Sequence, residues 1–311
     1  MMATKTISEQ DFSEIISLYN LGEYIRFQTF ANGAGQTTAL LFTTNGKCVL
    51  KYYENRPEKH VLFEVKLFDY LLSQKYPIPK IIKNSAGESV SHYKNKPLVI
   101  LEYIEGEHCK NPNEIFDPQE LSEVIKVVAQ LHNLTEKYNP DYFQDREEFN
   151  PDYCMREYKK LSRNTDKDDR ENWLKNELEK LEFPKSLPRG LCHSDLNYGN
   201  FLFKNGKVIA VLDFDMSFQT CLIYDVASLI YWWAGSPVKD FNISNAEYIV
   251  REYSKHRVLS ETEKRHIFDA LKLIVLLGIS WSDDSDFENE KKKIESLDSI
   301  GRDRFFKALE K

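Results

Sequence analysis

Long apolar runs are missing from this 311-residue chain. Its longest uninterrupted aliphatic stretch is Leu273–Leu277, far short of the ~20 residues that a membrane span requires. The opening, MMATKTISEQDFSE, lacks the apolar centre of a secretory signal, so no export is expected. Cysteine is scarce: five residues, an odd number with no paired spacing, suit reduced thiols in a cytoplasmic protein better than a disulfide framework. Twelve glycines and eleven prolines exclude collagen-like and proline-rich disordered classes. An excess of basic charge is absent too. Forty-two Lys+Arg face 49 Asp+Glu, a net charge of −7, which argues against a nucleic-acid partner. What remains is an ordinary globular composition, 41% apolar and 29% charged, long enough for about two domains.

The charge is unevenly spread. Residues 1–106 carry 12 basic and 11 acidic side chains, and residues 107–311 carry 30 and 38. A negative second part attracts a cationic substrate. Solvated helix faces in tracts such as Asp166–Asp169 and Glu288–Lys293 explain much of the same excess.

The first hundred residues read as strands around one helix. Tyr24–Phe30, Thr38–Thr44 and Lys47–Tyr53 are β-branched and aromatic runs, with Asn45-Gly46 as a tight-turn dipeptide between the last two. From Glu58 to Ser73 the apolar residues Val61, Leu62, Val65, Leu67, Phe68, Leu71 and Leu72 fall at helical spacing, closed by Pro77 and Pro79. Leu98–Ile104 is a nearly continuous apolar strand that stops at Glu105-Gly106, where the lobe boundary is expected. The remainder is mainly helical. Asp117, Pro118 and Glu120 start one helix. Tyr153–Leu181 is a polar helical region with a break near Asn164–Asp169. A β element spans Leu191–Asp213, and helices return from Asp225 to the end.

Chemistry concentrates in LCHSDLNYGNFLFKNGKVIAVLDFDMSFQTCLIYDVASLIYWW, residues 191–233. Two strands joined by Asn205-Gly206 bring Asn200 and Asp213 to one end of a hairpin, and Asp195 lies on the loop leading into it. Two carboxylates and an amide oxygen suit Mg²⁺, a hard cation that keeps phosphates and water as further ligands.

His193-x-Asp195-x-x-x-x-Asn200, a hairpin, and an apolar strand ending Leu212-Asp213-Phe214-Asp215 resemble the catalytic and metal-binding loops of kinase-fold phosphotransferases. Ser194 and Asp215 stand where protein kinases have Arg and Gly. These departures, and Tyr224-Asp225-Val226-Ala227 further on, resemble the small-molecule branch: aminoglycoside phosphotransferases, choline kinases and type II homoserine kinases. Tyr19-Asn20-Leu21-Gly22, Lys96-Pro97-Leu98 and Leu187-Pro188-Arg189-Gly190 look most like type II homoserine kinases. Asp215 and Tyr231-Trp232-Trp233 depart from that subgroup, and Cys192–Asn200 is also similar to choline kinases.

The resemblance implies an α+β, two-lobed kinase-like fold. A small antiparallel lobe with one helix, residues 1–105, would bind nucleotide, and a larger helical lobe, residues 107–311, would carry the catalytic loop and substrate site. It implies ATP and Mg²⁺ as cofactors and a small-molecule hydroxyl acceptor bearing an amine, with neither nucleic acid nor membrane as partner and the oligomeric state open. Asp195 would be the catalytic base, and Asn200 and Asp213 would hold metal. Gly33, Ala34 and Gly35 would cradle phosphates, Lys51 would reach the α- and β-phosphates, and Glu64 would position Lys51. Glu102, Tyr103 and Ile104, at a hinge over 101–106, would border the adenine. His193 and Asp225 would brace the catalytic loop.

Taken singly, these residues have plainer explanations. Gly33 and Gly35 suit any hairpin turn, Lys51 any strand end, and Glu58 rivals Glu64 on the same helix. His132 reads as a packed or capping histidine, and Tyr231, Trp232 and Trp233 as core rather than an aromatic wall for a cation. Three other functions remain as alternatives. A nucleotide-sensing pseudokinase would have lost some of Lys51, Asp195, Asn200 and Asp213. A protein kinase needs a longer platform than the eleven residues between Asp213 and Asp225. Metal-dependent hydrolysis would need no nucleotide.

Overall fold

A computed structural model describes residues 7–30, 36–109, 117–136, 138, 146–161, 167–234, 242–281 and 287–310. The chain divides into two compact units, the first formed mainly by residues 1–106 with 209–212, the second by most of the rest.

Unit one is built on antiparallel strands β1 (Tyr24–Thr29), β2 (Thr37–Thr43), β3 (Gly46–Tyr52), β4 (Ile81–Ile82), β5 (Ser91–Tyr93) and β6 (Lys96–Glu102). Their order is β1-β2-β3-β6-β4, with β5 also on β6. The expected β2–β3 hairpin forms, but its turn is Thr44-Asn45 and Gly46 already opens β3 opposite Thr43. Left-handed backbone at both turn residues occurs instead at Lys94-Asn95, between β5 and β6, as a two-residue hairpin favours. Gly22 has φ +80° and lies so close to Thr44 that a Cβ would fall 2.2 Å from its Oγ1, so this position requires glycine.

Side chains alternate across a strand, which gives this sheet two distinct faces. Ala39, Leu41, Cys48, Leu50, Tyr52, Leu98 and Ile100 form one buried cluster with Phe12, Ile15 and Ile16. Those last three belong to α1 (Glu9–Ser17), a helix beyond the one the sequence led us to expect. The alternate face carries Lys51 and receives α2 (Glu58–Ser73), whose Val61, Phe63, Glu64, Val65, Leu67, Phe68 and Leu71 are buried. The pattern-derived limits of α2 match.

Asp11 anchors α1. Its carboxylate accepts the Ser8 N–H at 2.6 Å and the Tyr93 hydroxyl at 2.7 Å, and it pairs with Lys94 at 2.8 Å. Lys94, helped by Ser8, holds the Asp11 carboxyl well below the usual carboxylate range. A carboxyl lowered in the folded state stabilises fully above the ordinary carboxylate value, and that contribution is lost as pH falls through the folded value. Asp11→Asn is therefore expected to melt below wild type at neutral pH, with the gap closing below about pH 4. Thermal melts across pH check this, and a gap that stays constant into acid refutes it.

Unit two holds β7 (Glu107–His108), β8 (Arg189–Cys192), β9 (Phe201–Lys204) and β11 (Phe218–Cys221), and β10 (Lys207–Val211) begins in it and continues as residues 209–211 of unit one. The helices of unit two are α3 (Pro118–Thr135), α4 (Pro151–Leu161), α5 (Lys167–Glu179), α6 (Ile223–Trp233), α7 (Ile243–Ser254), α8 (Glu261–Trp281), α9 (Phe287–Ile300) and α10 (Arg302–Leu309). Asp117 caps α3 as expected, accepting Gln119 N–H at 2.8 Å and Glu120 N–H at 3.4 Å, with Pro118 in the first turn. Of the polar helical region, α4 ends at Leu161 and α5 begins at Lys167, so Lys167–Asp169 of the expected break are helical and 164–166 lie outside the described residues. The pairing of β8 with β11, Cys192 opposite Phe218, was not anticipated. Burial is almost complete along α6, which packs on α8. Within α8, buried Lys272 is neutralised by Glu177 at 2.9 Å and Asp298 at 2.7 Å, tying α5 and α9 to it. Among the described residues no helix is long and apolar enough to cross a membrane.

Candidate active site

In unit one, Lys51 lies on β3 between Thr38 of β2 and Val99 of β6. Its ammonium is 2.7 Å from Glu64 Oε1, both side chains 5% exposed, and Tyr53 donates its hydroxyl to Glu64 Oε2 at 3.0 Å. The rival Glu58 instead meets His92 at 3.1 Å, half exposed. Glu58 and Glu64 lie about one and two-thirds helical turns apart, and only Glu64 shares the buried face of α2. Glu102 ends β6 and gives its N–H to Lys80 O at 2.8 Å, so Tyr103 and Ile104 are the first residues past the strand. Lys47 lies over the Tyr103 ring at 4.9 Å. Gly33, Ala34 and Gly35 lie outside the described residues.

In unit two, β8 delivers Cys192 and His193 into a turn. Ser194 takes φ +71°, a conformation a non-glycine residue holds only under outside constraint. Asp195 follows. Its carboxylate accepts Asn197 Nδ2 on Oδ1 at 2.8 Å and Asn200 Nδ2 on Oδ2 at 2.9 Å, and Asn200 Nδ2 also reaches Asp195 O at 2.7 Å. Asn197 Oδ1 accepts Gly199 N–H at 2.8 Å, opening the 3₁₀ turn Tyr198–Asn200. With its amide nitrogen on Asp195, Asn200 has its oxygen to offer a cation. Sequence reasoning passed over Asn197 as a second clamp on Asp195. Asn at two positions past a loop carboxylate, where such side chains bridge locally, was its only signal.

Asp213 sits past β10 with φ +58° and ψ +70°, starting the 3₁₀ turn Phe214–Met216. The His193 ring packs on Phe214 with centroids 4.6 Å apart. The Asp195 loop and the Asp213 turn are thus neighbours, each carboxylate one or two residues from that contact.

Asp225, in the first turn of α6, is wholly buried. It accepts His193 N–H on Oδ2 at 2.7 Å and Ser194 N–H on Oδ1 at 2.9 Å, and its Oδ2 lies 3.1 Å from His132 Nε2. These bonds account for the backbone at Ser194. Trp233, at the far end of α6, donates its indole N–H to Leu196 O at 2.9 Å. Trp233 is core, as expected, and it also pins the residue after Asp195. His132, Cys192 and Asp225 are the described His/Cys/Asp group compact enough to hold a metal. Burial, with the Asp225 charge adding to it, pushes the Cys192 thiol up. His132 and Asp225 already bond one another, so the donor set fits a hydrogen-bonded core and not a cation site.

A family model described as the phosphotransferase enzyme family matches residues 26–263. A homoserine kinase of Rhodopseudomonas palustris (strain BisA53) is 27% identical over 271 residues, 86% of this chain and 80% of the relative. A homoserine kinase of Caulobacter vibrioides (strain NA1000 / CB15N) is also 27% identical, over 83% of this chain and 81% of the relative. Among solved structures, an amicoumacin kinase in complex with AMP-PNP and Ca²⁺ superposes with a TM-score of 0.72 at 18% identity, covering 95% of each chain. A microcompartment-associated aminopropanol kinase superposes at 0.67 and 14% identity, over 96% of this chain and 98% of its own. The likeness extends over nearly the whole chain, and the fold is the α+β kinase-like one that the motifs implied.

Proposed function

Since the chain belongs to the phosphotransferase enzyme family, we propose that it moves the γ-phosphoryl group of ATP, with Mg²⁺, to the hydroxyl of a small amino alcohol, homoserine-like before choline-like or aminoglycoside-like. The observation that carries this reading is the Asp195 carboxylate, held by two amide N–H donors on a loop whose preceding N–H groups both end on Asp225. Phosphoryl transfer asks a protein mostly for positioning and charge. A carboxylate so oriented can take up the hydroxyl proton as the acceptor oxygen attacks phosphorus. Asn200, through its oxygen, and Asp213 would hold the metal, which neutralises charge on the phosphates when bound. Lys51, kept straight by Glu64, would bind the α- and β-phosphates. The main chain around Glu102, Tyr103 and Ile104 would meet the adenine edge.

The acceptor assignment leans on the homoserine kinases similar to this chain and on an acidic second part of the sequence, which favours an amine. It is tested by recording ADP release and acceptor phosphorylation with homoserine, aminopropanol, choline, ethanolamine and several aminoglycosides. Turnover on homoserine above the others is expected. Nucleotide binding with no transfer to any of them would favour a sensor instead.

A further inference from the structure

His132 has a second partner that the site's chemistry does not require. Its Nδ1 lies 2.6 Å from the hydroxyl of Tyr253, on α7, and both side chains are buried. We infer that Tyr253 is a positioning residue for the catalytic loop: a one-way run of hydrogen bonds, Tyr253 to His132 to Asp225, holds His132 with its proton on Nε2.

The direction follows from what each group can do. Asp225 accepts two backbone N–H groups. A third contact, 3.1 Å from His132 Nε2 in a wholly buried place, is attractive only if Nε2 carries a proton. With a lone pair there, the imidazole would face the carboxylate repulsively. Nδ1 of a neutral ring is then an acceptor, so the phenol must donate to it. Burial pushes the Tyr253 phenol up, so it keeps the proton it donates.

Past the end of α7, Arg257 gives its backbone N–H to Tyr253 O at 3.0 Å and pairs through its guanidinium with Glu263 at 2.7 Å, both nearly buried, and Glu263 Oε2 accepts Ser260 N–H and Oγ at 2.9 Å each. Tyr19, another buried phenol, bonds Ser91 at 2.9 Å in the first unit.

The catalytic part of this inference rests on the kinase reading, and the experiment separates the two. Tyr253→Phe removes one oxygen from a packed ring. Nitrogen-15 spectra of the His132 ring at neutral pH should show the proton on Nε2 in wild type and a changed tautomer population in Tyr253→Phe. The variant's kcat should fall about tenfold, the scale for losing a partner that orients a site histidine, with KM for ATP unchanged. Tyr19→Phe, which loses a buried phenol bond away from the loop, should keep wild-type kcat. Wild type with the proton on Nδ1, or Tyr253→Phe with wild-type tautomer and kcat, overturns the inference. So does an equal loss of kcat in both variants. If wild type phosphorylates no acceptor, the kinase reading fails while the tautomer result still decides the relay.

Discussion

Asp195→Asn is expected to lower kcat about a thousandfold, within the range for removing a positioned proton acceptor, while ATP binds as before. Asn keeps the size of the side chain and one carbonyl oxygen. It therefore retains one of the two bonds that Asn197 and Asn200 make to the carboxylate at 2.8 and 2.9 Å. The loop keeps its other ties, because Asp225 holds His193 and Ser194, and Trp233 holds Leu196. What disappears is the negative oxygen that takes the hydroxyl proton. Steady-state ADP release with the preferred acceptor, together with nucleotide titration, checks both halves. A variant that keeps its turnover would remove Asp195 from the chemistry.

The second large effect concerns the buried pair in the first unit. Glu64→Gln should cost about 3 kcal/mol of stability, the lower end for breaking a buried ion pair from one side. The carboxylate it removes lies 2.7 Å from an ammonium that is 5% exposed, and it also accepts the Tyr53 hydroxyl. Lys51→Met should lower kcat/KM for ATP about a hundredfold, the scale for losing one charge-stabilising donor. Combining Lys51→Met with Glu64→Leu replaces both charges by apolar groups. That double variant should recover part of the lost stability and none of the activity, since neighbouring substitutions couple. Urea denaturation and nucleotide kinetics on the same preparations separate the two effects. Recovery of activity along with stability would count against a phosphate-binding role for Lys51.

The parts of this protein that the sequence makes legible are those where a local rule and a long-range need coincide. The helical spacing of Val61, Val65, Leu67, Phe68 and Leu71 marks the buried face of α2, and Glu64 falls on that face while Glu58 does not. Even so, the choice between the two needed Lys51, thirteen residues away on strand β3. At α1 the signal was present and overlooked: Ser8 and Asp11 at capping spacing, then Phe12, Ile15, Ile16 and Tyr19 on one face. Strand patterns immediately downstream overshadowed it. The ribbon of β8 and β11 was not legible, because four-residue strands such as Phe218–Cys221 carry no periodicity to speak of. His132 was assigned correctly as a packed histidine, but its partners Asp225 and Tyr253 lie 93 and 121 residues away. No spacing rule reaches that far.

The five thiols noted at the outset end up in a particular position. All are reduced and buried, and burial pushes Cys48 up to about 11 and Cys154 to about 12. A thiolate is the form that alkylating reagents attack, so the native chain offers them almost nothing. Modification then counts opening events, as amide exchange does, with chemically permanent marks. Cys48 belongs to the first unit, and Cys109, Cys154, Cys192 and Cys221 belong to the second. The chain thus carries separate reporters for the opening of each half. A single cysteine placed at Val258, 82% exposed, would take a probe with little background from the others.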